Sequence, residues 1–223
     1  MGRPGEPAEL LTAPNAGGLP AAFTGGGTDG NERLTSMAGM LLIVLLAVLG
    51  VTILRIGQLI WLHLFVGLVL VGPLAVKVAS TGYRFARYYA RDQAYRSKGP
   101  PELVMRLSAP IVVVSTAVVF VSGVLLLALG PRARGQYLLL HKASFVVWLG
   151  VTGLHVFGHL PQLARSLRPA GADSHLPGSA PGAAGRWLAL AGALVAGIVL
   201  AIVLIPQFAP WTAHSAFLHH HHG

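Results

Sequence analysis

The chain of 223 residues contains no cysteine. This absence excludes disulfide bonds, iron–sulfur clusters held by thiolates and any thiolate chemistry. Charged residues are also scarce, at 10% of the chain, whereas a soluble domain carries about 25%. Because 54% of the residues are hydrophobic, such a chain cannot cover a water-facing surface with polar groups, and its solvent must be partly lipid.

Five apolar segments are long enough to cross a bilayer, since a helix needs about 20 apolar residues to span the hydrocarbon core. They cover residues 37–55, 59–80, 106–129, 137–160 and 186–206. The sequence therefore predicts an all-α integral membrane bundle of about five transmembrane helices. Pro161 and Pro206 are expected to end the fourth and fifth spans, because proline has no amide proton to continue a helix.

The segments outside these spans are predicted to be tails and loops. Residues 1–36 are rich in Gly, Pro, Ala and Thr, which predicts a flexible tail. Most basic residues outside the spans lie in the two loops that follow the second and fourth spans. By the positive-inside rule these loops and the N-terminus are cytoplasmic, and residues 207–223 form an extracytoplasmic tail. We therefore interpret the formal net charge of +9 as the basic residues that orient the chain in a plasma membrane, and not as a sign of nucleic-acid binding.

The predicted spans contain no Asp or Glu, which argues against a carboxylate-driven proton pump or cation exchanger. Apart from residues at the very ends of the spans (Arg55, Arg106, Tyr137 and Arg186), their ionisable residues are His63, Lys77, His141, Lys142, His155 and His159. An ionisable side chain at membrane depth is costly and indicates function. Neutral imidazole is a ligand of haem iron and of metals, so the histidines are candidate ligands.

The spacing of the histidines suggests how they could act together. His141 and His155 are 14 residues apart, a rise of roughly 21 Å at about 40° from the same helix face. Each could hold a haem near one membrane surface. His63 lies at the depth of His141 on a span that runs in the same direction, so these two are expected to ligate one iron from opposite sides. His159 is expected near the cytoplasmic surface, beside water or a haem propionate. The alternative is that the histidines hydrogen-bond between helices.

At these residues the chain resembles the membrane-embedded b-type cytochromes, the diheme subunits that anchor respiratory dehydrogenases. These families carry two haem-ligating histidines at the spacing of His141 and His155 on one helix, and His63 corresponds to an opposing ligand. The resemblance implies a haem-binding four-helix core, haem b, electron transport, and quinone or other redox subunits as partners. The stretches "LAVKVASTGYRFARYY" and "LHKASFVVWLGVTGLHVFGHL" are similar to uncharacterised actinobacterial membrane proteins.

The chain departs from the diheme pattern at Lys77, where a fourth histidine is expected opposite His155. Three alternatives remain for this inner site: a haem held by Lys77 and His155, a five-coordinate haem on His155, or no haem. Without a haem there, Lys77 is expected near a propionate or quinone carbonyl, or extended to the cytoplasmic headgroups.

The C-terminal tail carries a second set of candidate metal ligands: His214, His219, His220, His221 and His222. Four consecutive histidines bind Ni, Cu or Zn, although the run is also what an expression tag leaves. Three functions therefore remain open. The chain is an electron-transfer cytochrome subunit of the oxidoreductase class, a metal-handling or transport protein that collects ions on this tail, or a structural subunit of a larger membrane complex.

Overall fold

The computed structural model describes residues 25–97, 103–166 and 181–218. The regular structure in these ranges is helical, with no strand. In chain order the α-helices are α1 (Gly27–Leu54), α2 (Ile56–Val69), α3 (Val71–Tyr89), α4 (Gln93–Arg96), α5 (Leu103–Leu129), α6 (Arg134–Ser166), α7 (Ala183–Leu204) and α8 (Ala209–Leu218).

Five helical segments are long and apolar enough to cross a membrane. They are Gly27–Leu54, Ile56–Tyr89, Leu107–Leu129, Tyr137–Gly158 and Ala183–Ala213. The prediction of an all-α membrane bundle with five spans is therefore confirmed, and its apolar helices indicate a multi-pass protein in a lipid bilayer.

The first helix begins earlier than the sequence predicted. α1 starts at Gly27, so residues 27–36 are helical and the expectation of a flexible tail is wrong for them; residues 1–24 lie outside the described ranges. The reason is polar pairing with α3. The Asn31 side-chain amide donates to the Ser80 carbonyl at 3.0 Å, and the Thr35 hydroxyl lies 2.9 Å from the Ser80 hydroxyl. These bonds hold the extra turns of α1 against α3.

The two prolines behave differently. Pro206 ends the α-helix of the fifth span, since a 3-10 turn, Ile205–Phe208, follows α7, although the apolar segment continues to Ala213. Pro161 does not end the helix of the fourth span, because α6 continues to Ser166. A proline removes one hydrogen bond from a helix, and membrane helices tolerate that loss.

The segment after Pro206 is also not a free tail over its described part. Phe208 is 1% exposed and its ring meets that of Trp61 edge-on, with the centroids 6.0 Å apart. α8 follows and packs against α2. Residues 205–218 are thus helical, and the buried Phe208 holds the start of this segment on the bundle, so the predicted tail at 207–223 is corrected for 207–218.

The helices pack as two groups. α1, α2, α3 and α7 contact one another, whereas α5 packs mainly against α6. Two glycines allow the closest approach within the first group: a Cβ at Gly72 would collide with the Ala193 carbonyl, and one at Gly197 with the Val69 carbonyl. The α5–α6 pair joins this group at the core, through Leu127.

Candidate functional site

His63 is placed by the tight connection between α1 and α2. α1 ends at Leu54 and α2 begins at Ile56, so α2 folds back directly along the end of α1. This brings the Nδ1 atom of His63 to 2.9 Å from the Thr52 hydroxyl. Thr52 is fully buried, and its hydroxyl also donates to the Leu49 carbonyl at 2.6 Å. One edge of the imidazole is therefore anchored to α1.

His141 is anchored in the same manner to α5. Its Nδ1 atom lies 3.0 Å from the Ser122 hydroxyl and 3.1 Å from the Val119 carbonyl oxygen. Gly123 provides room for the ring, since a Cβ at this position would lie 3.1 Å from the Cε1 atom of His141. The ring is thus held by α5 through one nitrogen and fits beside a residue with no side chain.

His155 repeats this arrangement near the opposite end of the same helix pair. Its Nδ1 atom lies 2.9 Å from the Ser108 hydroxyl. Ser108 and Ser122 are 14 residues apart on α5, as are His141 and His155 on α6. Because α5 and α6 are antiparallel, the two serines meet the two histidines in register.

His63 and His141, called the outer pair below, interact electrostatically across the two helix groups. Their helices, α2 and α6, are not among the helix pairs that pack closely. Each imidazole uses Nδ1 for its anchoring bond, and within the described ranges no hydrogen bond reaches the Nε2 atom of either ring. That the outer pair holds one iron stays a prediction, and each ring has one nitrogen available for it.

Lys77 has a different neighbour from the one expected. Its Nζ atom donates to the Thr35 carbonyl of α1 at 2.8 Å, and a Cβ at Gly39 would lie 3.1 Å from this atom. His155 is bonded to α5 instead. The expectation that Lys77 faces His155 is therefore corrected: the ammonium group is directed towards α1, because the bare backbone at Gly39 lets it reach an acceptor there.

The other candidate histidines lie outside the described side chains. His159 lies in α6, but its side chain is outside the described part of the chain, and the same holds for His214 in α8. His219, His220, His221 and His222 follow the last described residue. Among the described residues, no group of three or more His, Cys, Asp or Glu side chains could hold a bare metal ion.

The donor set of the outer pair fits a haem. A carbonyl oxygen can only accept a hydrogen bond, so the Val119 carbonyl requires a proton on Nδ1 of His141 and leaves the lone pair on Nε2. An imidazole nitrogen with a lone pair is what haem iron binds. Gly67, one turn after His63, opens onto space: no atom outside its own helix backbone lies within 4 Å of a Cβ built there. A flat macrocycle could approach the backbone at this position.

The anchoring residues Thr52, Ser108 and Ser122 were not identified from the sequence. For the two serines a signal existed, since their 14-residue spacing on the third span matches that of the two histidines on the fourth. For Thr52 the signal was its place just before the tight turn at Arg55.

The chain was compared with protein families, curated proteins and solved structures. No protein-family model, no curated protein and no solved structure gives a significant match to this chain.

Proposed function

We propose that this chain is a haem b-binding electron-transfer protein of the plasma membrane, in which His63 and His141 would together hold one haem. The observation that supports the proposal is that both imidazoles, on two spans that run in the same direction, are anchored through Nδ1, which leaves Nε2 of each ring available as a ligand. When bound, the haem supplies reversible one-electron chemistry at iron. The two histidines would bind and orient it between the apolar helices α2 and α6.

The wider role follows from where this pair lies. Under the proposed orientation, with a cytoplasmic N-terminus, the outer pair lies near the extracytoplasmic surface. It would pass electrons between a quinol or a cytoplasmic donor and an outer acceptor, as part of a larger redox complex or alone. His155 could hold a second haem through a single bond from the chain, since Lys77 is bonded to α1.

A visible spectrum of the purified full chain tests this proposal. We expect a strong Soret band and sharp reduced α and β bands, as a low-spin haem with two axial ligands gives. His63→Ala and His141→Ala should each remove the same haem, whereas the matched control His214→Ala should keep it. His155→Ala should keep the outer haem and lose only a second one. Full haem content in either of the first two variants would contradict the proposal.

A structural role is the second candidate, because one observation favours it directly. All three described histidines hydrogen-bond to a hydroxyl on a neighbouring helix. Such bonds stabilise helix pairs in membranes by about 0.6 kcal/mol each on average. A purified protein without a Soret band, whose His63→Ala and His141→Ala variants are less stable, would favour this role over electron transfer.

A further inference from the structure

We infer that Thr52 and Ser122 are positioning residues that fix His63 and His141 in the tautomer with the proton on Nδ1. In this tautomer each ring presents its Nε2 lone pair away from the helix that anchors it. The use of these lone pairs as haem ligands rests on the proposed function. The tautomer is a property of the chain alone and can be measured without haem.

The proton of the Thr52 hydroxyl decides the tautomer of His63. A threonine hydroxyl has one proton to donate and two lone pairs that accept. The Thr52 oxygen lies 2.6 Å from the Leu49 carbonyl oxygen, and two oxygens at that distance repel unless a proton lies between them. The hydroxyl proton is therefore used on Leu49. At 2.9 Å from His63, the same oxygen can only accept, so Nδ1 must carry the proton.

The Ser122 hydroxyl on α5 makes the same two hydrogen bonds as the Thr52 hydroxyl, one to a backbone carbonyl and one to a histidine. Its hydroxyl donates to the Val119 carbonyl at 2.9 Å, which leaves its oxygen as an acceptor for Nδ1 of His141 at 3.0 Å. The Val119 carbonyl itself lies 3.1 Å from the same Nδ1 atom. His141 therefore has two acceptors that require the same tautomer.

The two sites thus differ in how strongly the tautomer is fixed. His63 depends on Thr52 alone among the described residues, whereas His141 keeps the Val119 carbonyl when Ser122 loses its hydroxyl. This asymmetry separates a positioning role from general packing, because packing gives no reason for one hydroxyl to matter more than the other. Groups that bond the second nitrogen of a ligating imidazole orient the ring and raise its basicity, and their loss weakens metal affinity about tenfold or more.

Nitrogen-15 NMR of the histidine rings tests the inference. The full chain would be produced in a haem-deficient host, placed in lipid nanodiscs and measured above the ordinary His pKa of about 6.5, where the rings are neutral. His63→Gln and His141→Gln assign the two signals among the ten histidines of the chain. The test variants are Thr52→Val, Thr52→Ser and Ser122→Ala. The control is Ser115→Ala, which removes a hydroxyl of α5 that donates to the Val112 carbonyl.

Both histidines should carry the proton on Nδ1 in the wild type. Thr52→Val should move His63 to a mixture of tautomers and leave His141 unchanged, and Thr52→Ser should restore the wild-type signal. Ser122→Ala and Ser115→Ala should leave both rings with the proton on Nδ1. With haem added, Thr52→Val should weaken haem binding about tenfold.

A proton on Nε2 of His63 in the wild type would overturn the inference, and so would a Thr52→Val spectrum identical to that of the wild type. The wild-type spectrum alone shows which nitrogen of His63 carries the proton, even where a variant does not fold. A wild type that shows the expected tautomers but binds no haem would instead refute the proposed function and leave the positioning role intact.

Discussion

Replacing Gly197 with alanine should destabilise the bundle, because α7 packs closely against the backbone of the α2–α3 junction at this glycine. An added methyl group would collide with the Val69 carbonyl oxygen and lie 3.0 Å from the Val69 carbonyl carbon and 3.1 Å from its Cα atom. All three atoms belong to the backbone, so no side-chain rotation can relieve the contact and the two helices must separate.

The loss of stability can be estimated from the cost of overpacking a buried site. Overpacking a buried site costs about 1–3 kcal/mol, and a collision with backbone atoms, which no side-chain rotation can move away, belongs at the upper end. Alanine also favours a helix over glycine by about 1 kcal/mol, which offsets part of this cost. Gly192 on the same helix is the matched control, since a Cβ there would meet no atom within 4 Å. The difference between the Gly197→Ala and Gly192→Ala variants therefore isolates the packing cost, about 3 kcal/mol.

Thermal unfolding in detergent, followed by circular dichroism, measures this difference. For a chain of this size about 3 kcal/mol corresponds to a Tm difference of roughly 6–12 °C. We expect Gly192→Ala to unfold at or above the wild-type temperature and Gly197→Ala clearly below it. Equal melting temperatures for the two variants would show that α7 and the α2–α3 junction do not approach as closely as described.

Two further predictions concern Lys77 and the topology. Lys77→Met should keep the full haem content, because the ammonium group is bonded to Thr35 on α1; a haem loss equal to that of His141→Ala would place Lys77 at the haem after all. Single cysteines at Ser97 and Ala213 give unique labels in a chain without cysteine. In intact cells an impermeant thiol reagent should label Ala213→Cys and not Ser97→Cys, because the basic loops are expected to be cytoplasmic. Labelling of Ser97→Cys and not Ala213→Cys would show that the bundle has the opposite orientation in the membrane.

The spans could be predicted from the sequence because their signal is local. About 20 apolar residues in a row are enough to identify a membrane helix, whatever it packs against. The ends of the spans depend on partners instead. α1 extends back to Gly27 where Asn31 and Thr35 bond to Ser80, and these contacts are 49 and 45 residues apart in sequence. No local pattern at residues 27–36 indicates them.

The candidate site could be predicted in part for the same reason. Depth along a helix follows from residue number, so His63 and His141 could be matched by their distance from the membrane surface. Rotation about the helix axis depends on neighbouring helices, and there the prediction for Lys77 was wrong. A side chain with a four-carbon stem can reach either neighbour, and the bare backbone at Gly39 decided in favour of α1.

The two helix groups position the two histidines separately. Thr52 on α1 anchors His63, whereas Ser122 on α5 anchors His141, so neither ring needs the other to take its orientation. The apolar part of α6 within Tyr137–Gly158 has no buried residue, because α6 packs mainly against a single helix, α5. On the proposed function, a haem between His63 and His141 would tie this weakly covered helix to the rest of the bundle. Its binding free energy would then add to the stability of the fold by mass action.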